Sequence, residues 1–217
     1  MLRINDEAPD FDALSTEGKI NFHHWISNSW VLFFSHPKDF TPVCTTELGC
    51  MASISEEFKK RKCKLIGLSV DDVESHIEWT KDIEEINSVK VTYPIIADTD
   101  LKIAKLYNML PAEESGSYKG RTPAHNATVR SIFIIDPNKK IRLMMTYPMT
   151  TGRNFDEILR VIDSIQLTSS HKVATPANWK NGDQVIISSA VGDDEAKNIF
   201  KNGWKTIKSY LRVVDQP

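Results

Sequence analysis

The chain has 217 residues, 41% of them hydrophobic and 26% charged, an ordinary globular composition that excludes a mainly disordered state. Lysine and arginine number 27 against 29 aspartates and glutamates, and the formal charge of -2 favours neither a basic nucleic-acid surface nor a strong acidic field. The longest apolar run, residues 30–34, is far short of the roughly 20 residues that cross a bilayer, so a soluble chain with no nucleic-acid or membrane partner is expected. Asp6 and Glu7 arrive before any apolar segment, which argues against a secretory signal or an Arg-rich transit peptide. Cys44, Cys50 and Cys63 are an odd number at spacings that match no disulfide framework, and a reducing, cytoplasmic location is the expectation. There is no C-x-x-C pair, and no metal site is expected.

In chain order, residues 29–34 (S-W-V-L-F-F) form a strand-length apolar run that ends at Ser35-His36-Pro37. A run without alternation suits a strand buried on both faces. After the Pro37 to Pro42 loop, residues 45–60 read as a helix with Leu48, Met51, Ser55 and Phe58 on one stripe. Residues 64–70 are a second buried strand, 73–85 a helix, 93–97 a short strand and 100–107 another helix. The polar stretch 111–126 is too long for a turn and reads as a surface excursion. Two strands at 129–135 and 141–147 flank Asp136-Pro137-Asn138-Lys139, a hairpin signal. Residues 154–167 are a periodic helix with Phe155, Ile158, Leu159, Ile162 and Ile165 on its apolar face. This order predicts an α/β thioredoxin-like fold, a mixed central sheet flanked by helices, over residues 1–168. From Ser169 the character changes. Residues 169–217 hold a short strand (185–188) and a helix (194–202), an α+β extension too small to bury a core alone.

The informative stretch is Pro37-Lys38-Asp39-Phe40-Thr41-Pro42-Val43-Cys44-Thr45-Thr46-Glu47. One cysteine follows a proline-braced loop at the start of a helix, where free N–H groups and the helix dipole stabilise a thiolate. Thr41 can place a hydroxyl beside the sulfur, and the prolines limit the entropy lost in assembling the loop. Read locally, the same position also suits a small buried hydrophobe at a helix start. Cys50 lies six residues on, about 240° round and roughly 9 Å up the axis, so it cannot close a disulfide with Cys44.

Pro37-x-x-x-Thr41-x-x-Cys44 resembles the P-x-x-x-T/S-x-x-C signature of the peroxiredoxins of the AhpC/TSA family, and T-P-V-C-T-T-E resembles their one-cysteine, peroxiredoxin-6-type branch. Residues 34–40, 147–160 and 173–183 look like that branch too, so the resemblance spans nearly the whole chain. It implies a thiol-dependent peroxidase acting on hydrogen peroxide and organic hydroperoxides. In-line attack on a peroxide needs a stabilised thiolate, a cation and donors at the departing oxygen. By resemblance Cys44 is the nucleophile, Thr41 and the N–H groups near Val43 and Cys44 donate to the peroxide, and Arg130 is the cation. Pro37 shields the sulfur, His36 lines the pocket, Arg153 is a second arginine near the site, and Glu47 orients the network around Thr41 and the arginine. Without the resemblance, Arg130 reads as an exposed strand-end charge and His36 as a histidine bonded to backbone.

The resolving cysteine of two-cysteine relatives sits in a V-C-P motif. Here the stretch reads Val173-Ala174-Thr175-Pro176. The sulfenic acid on Cys44 then awaits an external small thiol or thiol-carrying protein and stands open to further oxidation. No prosthetic group is implied. The resemblance also implies a homodimer, with residues 169–217 at the subunit interface. A disulfide reductase would need two cysteines within one turn, and residues 40–46 hold only Cys44. A sensor or holdase role would use the same Cys44. Some relatives carry a lipase site on a G-x-S-x-G-like turn. Here Ser29 and His23 remain, but both glycines are gone and Asn138 replaces the acid, so lipase activity is not expected.

Overall fold

A computed structural model describes residues 1–112 and 126–217. The chain opens with a hairpin of β1 (Asp12–Ser15) and β2 (Gly18–Asn21), then a short helix α1 (Phe22–Ile26) whose first turn is capped by the Asn21 side chain. Strands β3 (Trp30–Ser35) and β4 (Cys63–Ser69) run parallel, with Trp30 opposite Cys63 and Ser35 opposite Leu68. A short parallel strand, β5 (Ile95–Ala97), joins β4 on its far side. Antiparallel β6 (Arg130–Ile135) lies on the other side of β3, and β7 (Ile141–Tyr147) follows it. The sheet order is β2-β1-β5-β4-β3-β6-β7, the mixed central sheet expected for a thioredoxin-like fold.

The absence of alternation in β3 has its physical reason here: Val31, Leu32, Phe33 and Phe34 are all fully buried, so both faces of the strand meet protein. Phe33 stacks edge-on against Tyr107 (4.9 Å between centroids) in a cluster with Phe22, Phe133 and Ile66. Phe34 points the other way, toward Tyr93 and the Arg153 guanidinium, 5.1 Å from its ring. The hairpin between β6 and β7 is shaped by Asp136, whose carboxylate accepts from the N–H groups of Asn138 and Lys140.

Besides α1, the described residues of this unit hold the helices α2 (Pro42–Ser53), α3 (Ser55–Lys60), α4 (Val73–Asn87) and α5 (Lys102–Leu106). The single helix expected over 45–60 is two. It starts earlier because Pro42 suits the first helical position. It breaks at Ile54 just after Ser53, whose hydroxyl bonds back to the Gly49 carbonyl, a contact that competes with the helical ladder. On α4, His76, Trp79 and Ile83 are buried at helical spacing, and α4 packs against α2. Of the expected excursion at 111–126, residues 113–125 lie outside the described residues.

The chain divides into two compact units, Met1–Arg153 and Asn154–Pro217. The second begins with α6 (Phe155–Ser170), capped by Asn154, and continues through β8 (Val173–Ala174), β9 (Val185–Ile187), α7 (Asp193–Ile199), β10 (Lys205–Lys208) and β11 (Leu211–Val214). Its strands form a sheet of order β10-β11-β9-β8 over a cluster that includes Val173, Trp179, Val185, Val191 and Phe200. The expected single strand and helix were thus an undercount, and this part of the chain does gather an apolar cluster of its own.

Candidate active site

The site grows from the end of β3. Pro37 and Asp39 are buried, and Phe40 takes a left-handed conformation (φ 52°) that turns the chain toward α2. Thr41 is the extended residue preceding α2 but caps nothing with its side chain; its hydroxyl donates to the Lys38 carbonyl at 2.9 Å. The first intrahelical bond runs from Thr45 N to Thr41 O at 3.0 Å, so the N–H groups of Val43 and Cys44 have no acceptor inside the helix. Cys44 therefore sits in the first turn of α2, fully buried, beside donors oriented for an anion.

The cation comes from β6. Arg130 Nη1 lies 3.3 Å from Cys44 Sγ and 2.7 Å from Glu47 Oε2. Its Nε and Nη2 both donate to the Met149 carbonyl, at 2.9 and 2.6 Å, which fixes the plane of the guanidinium. Arg153 grips the same carboxylate: Nε reaches Oε1 at 3.0 Å, Nη2 reaches Oε2 at 2.7 Å, and its backbone N–H adds a bond to Oε1 at 2.8 Å. Its Nη1 donates to the Ser35 carbonyl at the end of β3. Burial opposes ionisation of Glu47, but the two arginines and these hydrogen bonds outweigh it and hold the carboxyl below its ordinary value. Two cations and one carboxylate leave a net positive charge next to the sulfur.

Behind the loop is a second buried polar group. The Asp39 carboxylate accepts from His36 Nε2 at 2.7 Å, His76 Nδ1 at 2.7 Å and Ser75 Oγ at 2.9 Å. Burial disfavours its charge, yet these donors prevail and its carboxyl lies well below the usual range. Burial pushes the His36 ring in the opposite sense from its Asp39 partner and lowers its pKa. His36 Nδ1 is buried without a hydrogen-bond partner among the described residues. His36, Asp39 and His76 also bring three atoms of metal-ligand type within 4.8 Å of one another, at spacings that hydrogen bonds already account for.

The structure brings Cys44, Arg130, Glu47 and Arg153 together and leaves other expectations altered. Thr41, expected as a donor to peroxide, has its proton on Lys38, so as placed its oxygen offers lone pairs; donation needs the hydroxyl to turn. Arg153 makes no hydrogen bond to the sulfur among the described residues; it acts on Glu47. The Met149 carbonyl and the Asp39, Ser75 and His76 group escaped sequence reasoning, although an aspartate inside a proline-braced loop was a signal. Cys50 is exposed and Cys63 buried, and neither is in a disulfide among the described residues. His23 is bonded to the Ala8 carbonyl at 2.7 Å and shares no hydrogen bond with Ser29 among the described residues.

Known proteins resemble this chain in sequence and in fold. Residues 4–144 match the AhpC/TSA family and residues 164–203 the C-terminal domain of 1-Cys peroxiredoxin. The chain is 52% identical over 216 residues to the 1-Cys peroxiredoxin of Dictyostelium discoideum, covering 100% of this chain and 86% of that one. A solved structure of a cysteine-to-serine mutant of peroxiredoxin 6 from Arenicola marina is 46% identical, with a TM-score of 0.91 and coverage of 100% and 99%. A structure that addresses the thiol-resolving mechanism of yeast mitochondrial 1-Cys peroxiredoxin via glutathione/thioredoxin systems is 54% identical, with a TM-score of 0.92 and coverage of 99% and 100%.

Proposed function

Since the chain belongs to the AhpC/TSA family, on its one-cysteine, peroxiredoxin-6-type branch, and is a thiol-dependent peroxidase, we propose that Cys44 is the nucleophile of that reaction. The observation that carries this reading is the 3.3 Å contact between Arg130 Nη1 and Cys44 Sγ. The Cys44 thiolate attacks one peroxide oxygen in line; the S–O bond forms as the O–O bond breaks. The departing hydroxide or alkoxide takes up, through solvent, the proton that the Cys44 thiol gave up on ionising, and leaves as water or alcohol. Charge moves from sulfur to the departing oxygen, and the guanidinium and the free N–H groups of Val43 and Cys44 stabilise it without reorganising. Thr41 holds the peroxide by its hydroxyl, Pro37 and His36 line the pocket, and Arg153 positions Glu47 and through it Arg130.

Recovery takes two thiols from outside. The first condenses with the sulfenic acid, forming a mixed disulfide and water; the second displaces Cys44 as a thiol and leaves as a disulfide with the first. No prosthetic group enters the scheme. The protein acts in the cytoplasm as a homodimer, with residues 1–168 as peroxidase domain and residues 169–217 as an extension at the subunit interface. Light scattering of the purified chain tests the dimer.

The direct test is the intact mass of reduced protein after one equivalent of hydrogen peroxide with a sulfenic-acid trap, followed by peptide mapping. Modification confined to Cys44 is expected. A reduced Cys44, or a disulfide to Cys50 or Cys63, overturns the assignment.

A further inference from the structure

We propose that Asp39, clamped by Ser75 and His76, is a latch on the active-site loop that speeds attack on peroxide and slows access of the reducing thiol. The inference rests on the reading of Cys44 as nucleophile. Its starting point is a conflict between the two halves of that cycle. Attack on peroxide needs the arrangement described above, with Arg130 against the sulfur. Recovery needs something bulkier than peroxide to reach a sulfur that is wholly buried, so the start of α2 and the loop before it must part from their surroundings. One segment thus has to be closed for the first step and open for the second.

What holds it closed on this side is Asp39. The carboxylate accepts three hydrogen bonds, and two of them cross from the loop to α4, from Ser75 Oγ at 2.9 Å and His76 Nδ1 at 2.7 Å. The third, from His36 Nε2, braces the loop against itself. The Asp39 N–H also donates to Asp71 Oδ2 at 3.1 Å, and that oxygen accepts from Ser69 Oγ at the end of β4. The loop is tied by one residue to α4 and to the turn that follows β4. With its side chain 1% exposed, Asp39 is not screened by water, so each lost donor leaves a buried charge less satisfied. His76 is anchored in turn, with Nε2 3.2 Å from the Ile96 carbonyl. Asp39, Ser75 and His76 are positioning residues, since none of them is bonded to the sulfur.

The signature is a split between half-reactions. His76→Leu removes the Nδ1 donor while keeping bulk; His76→Asn places an amide N–H where Nδ1 stands. Full-length protein is oxidised by hydrogen peroxide in stopped flow, and the Cys44 sulfenic acid is separately reduced by dithiothreitol. In H76L we expect oxidation to slow by about tenfold, the scale of one hydrogen bond to a charged group, and reduction to speed up several-fold. H76N should restore both rates. Ser75→Ala, a milder cut at the same carboxylate, should move both in the same opposed directions by about threefold, and it decides the matter if H76L does not fold. Both half-reactions slowing together, neither changing, or H76N failing to rescue overturns the latch. These outcomes leave the nucleophile assignment intact, because that fails only if wild-type Cys44 does not react.

Discussion

Two cysteines are buried in the first unit, and they meet opposite environments. Cys44, at the start of α2, is fully buried with an arginine 3.3 Å from its sulfur. Cys63, at the start of β4, is 3% exposed, and its sulfur donates to the Lys64 carbonyl at 3.7 Å. Burial pushes the Cys63 thiol up to about 12, and neither the backbone N–H of Leu32 nor Arg61 offsets it. Burial by itself therefore does not make a reactive thiol. What separates the two is the charge that the fold delivers to the buried sulfur, a guanidinium in one case and a carbonyl in the other.

The largest blow to that difference is Arg130→Gln. It should cut the rate of Cys44 oxidation by about a hundredfold or more, in line with loss of one preorganised donor, while Cys63 stays unreactive; stopped-flow oxidation with peptide mapping reads both. Next is Glu47→Gln, which leaves two buried guanidinium groups without their carboxylate and should cost ~3–5 kcal/mol in urea unfolding at neutral pH. The folded carboxyl is held below its ordinary 4.5, so its contribution is present above that value and lost as pH falls through the depressed one. The gap between wild type and E47Q should accordingly narrow as unfolding is measured below that ordinary value. The smallest effect belongs to Cys63→Ala: unchanged peroxidase rate, with ~1 kcal/mol lost in thermal unfolding as a buried sulfur leaves a small void.

The sheet was legible in the sequence because its central strands are buried on both faces and read as unbroken apolar runs, as residues 30–34 do. Where that signal is missing, the reading failed. All four residues of β10 are exposed, so no apolar pattern marks it, and the hairpin of β1 and β2 is only four residues a side. The place of Cys44 at a helix start was visible locally, since a proline-braced loop precedes it, although the same position equally suited a small buried hydrophobe. Arg130 was not. Its approach to Cys44 depends on β6 lying antiparallel beside β3, and only the family resemblance pointed there. The Asp39 to His76 contact, between residues 37 apart, escaped even that. Side-chain periodicity says which face of α4 is buried, not which loop aspartate it will meet.

The pairing of Arg130 with Cys44 spans 86 residues of chain. A ribosome adding 5–20 residues per second needs roughly 4 to 17 s to cover that interval. Through those seconds, and until β6 has docked, the newly made cysteine has no guanidinium beside it and no Glu47–Arg153 clamp to hold one there. On the proposed reading of Cys44, the chain therefore emerges without the charge that stabilises its thiolate and gains that charge only when the sheet is complete.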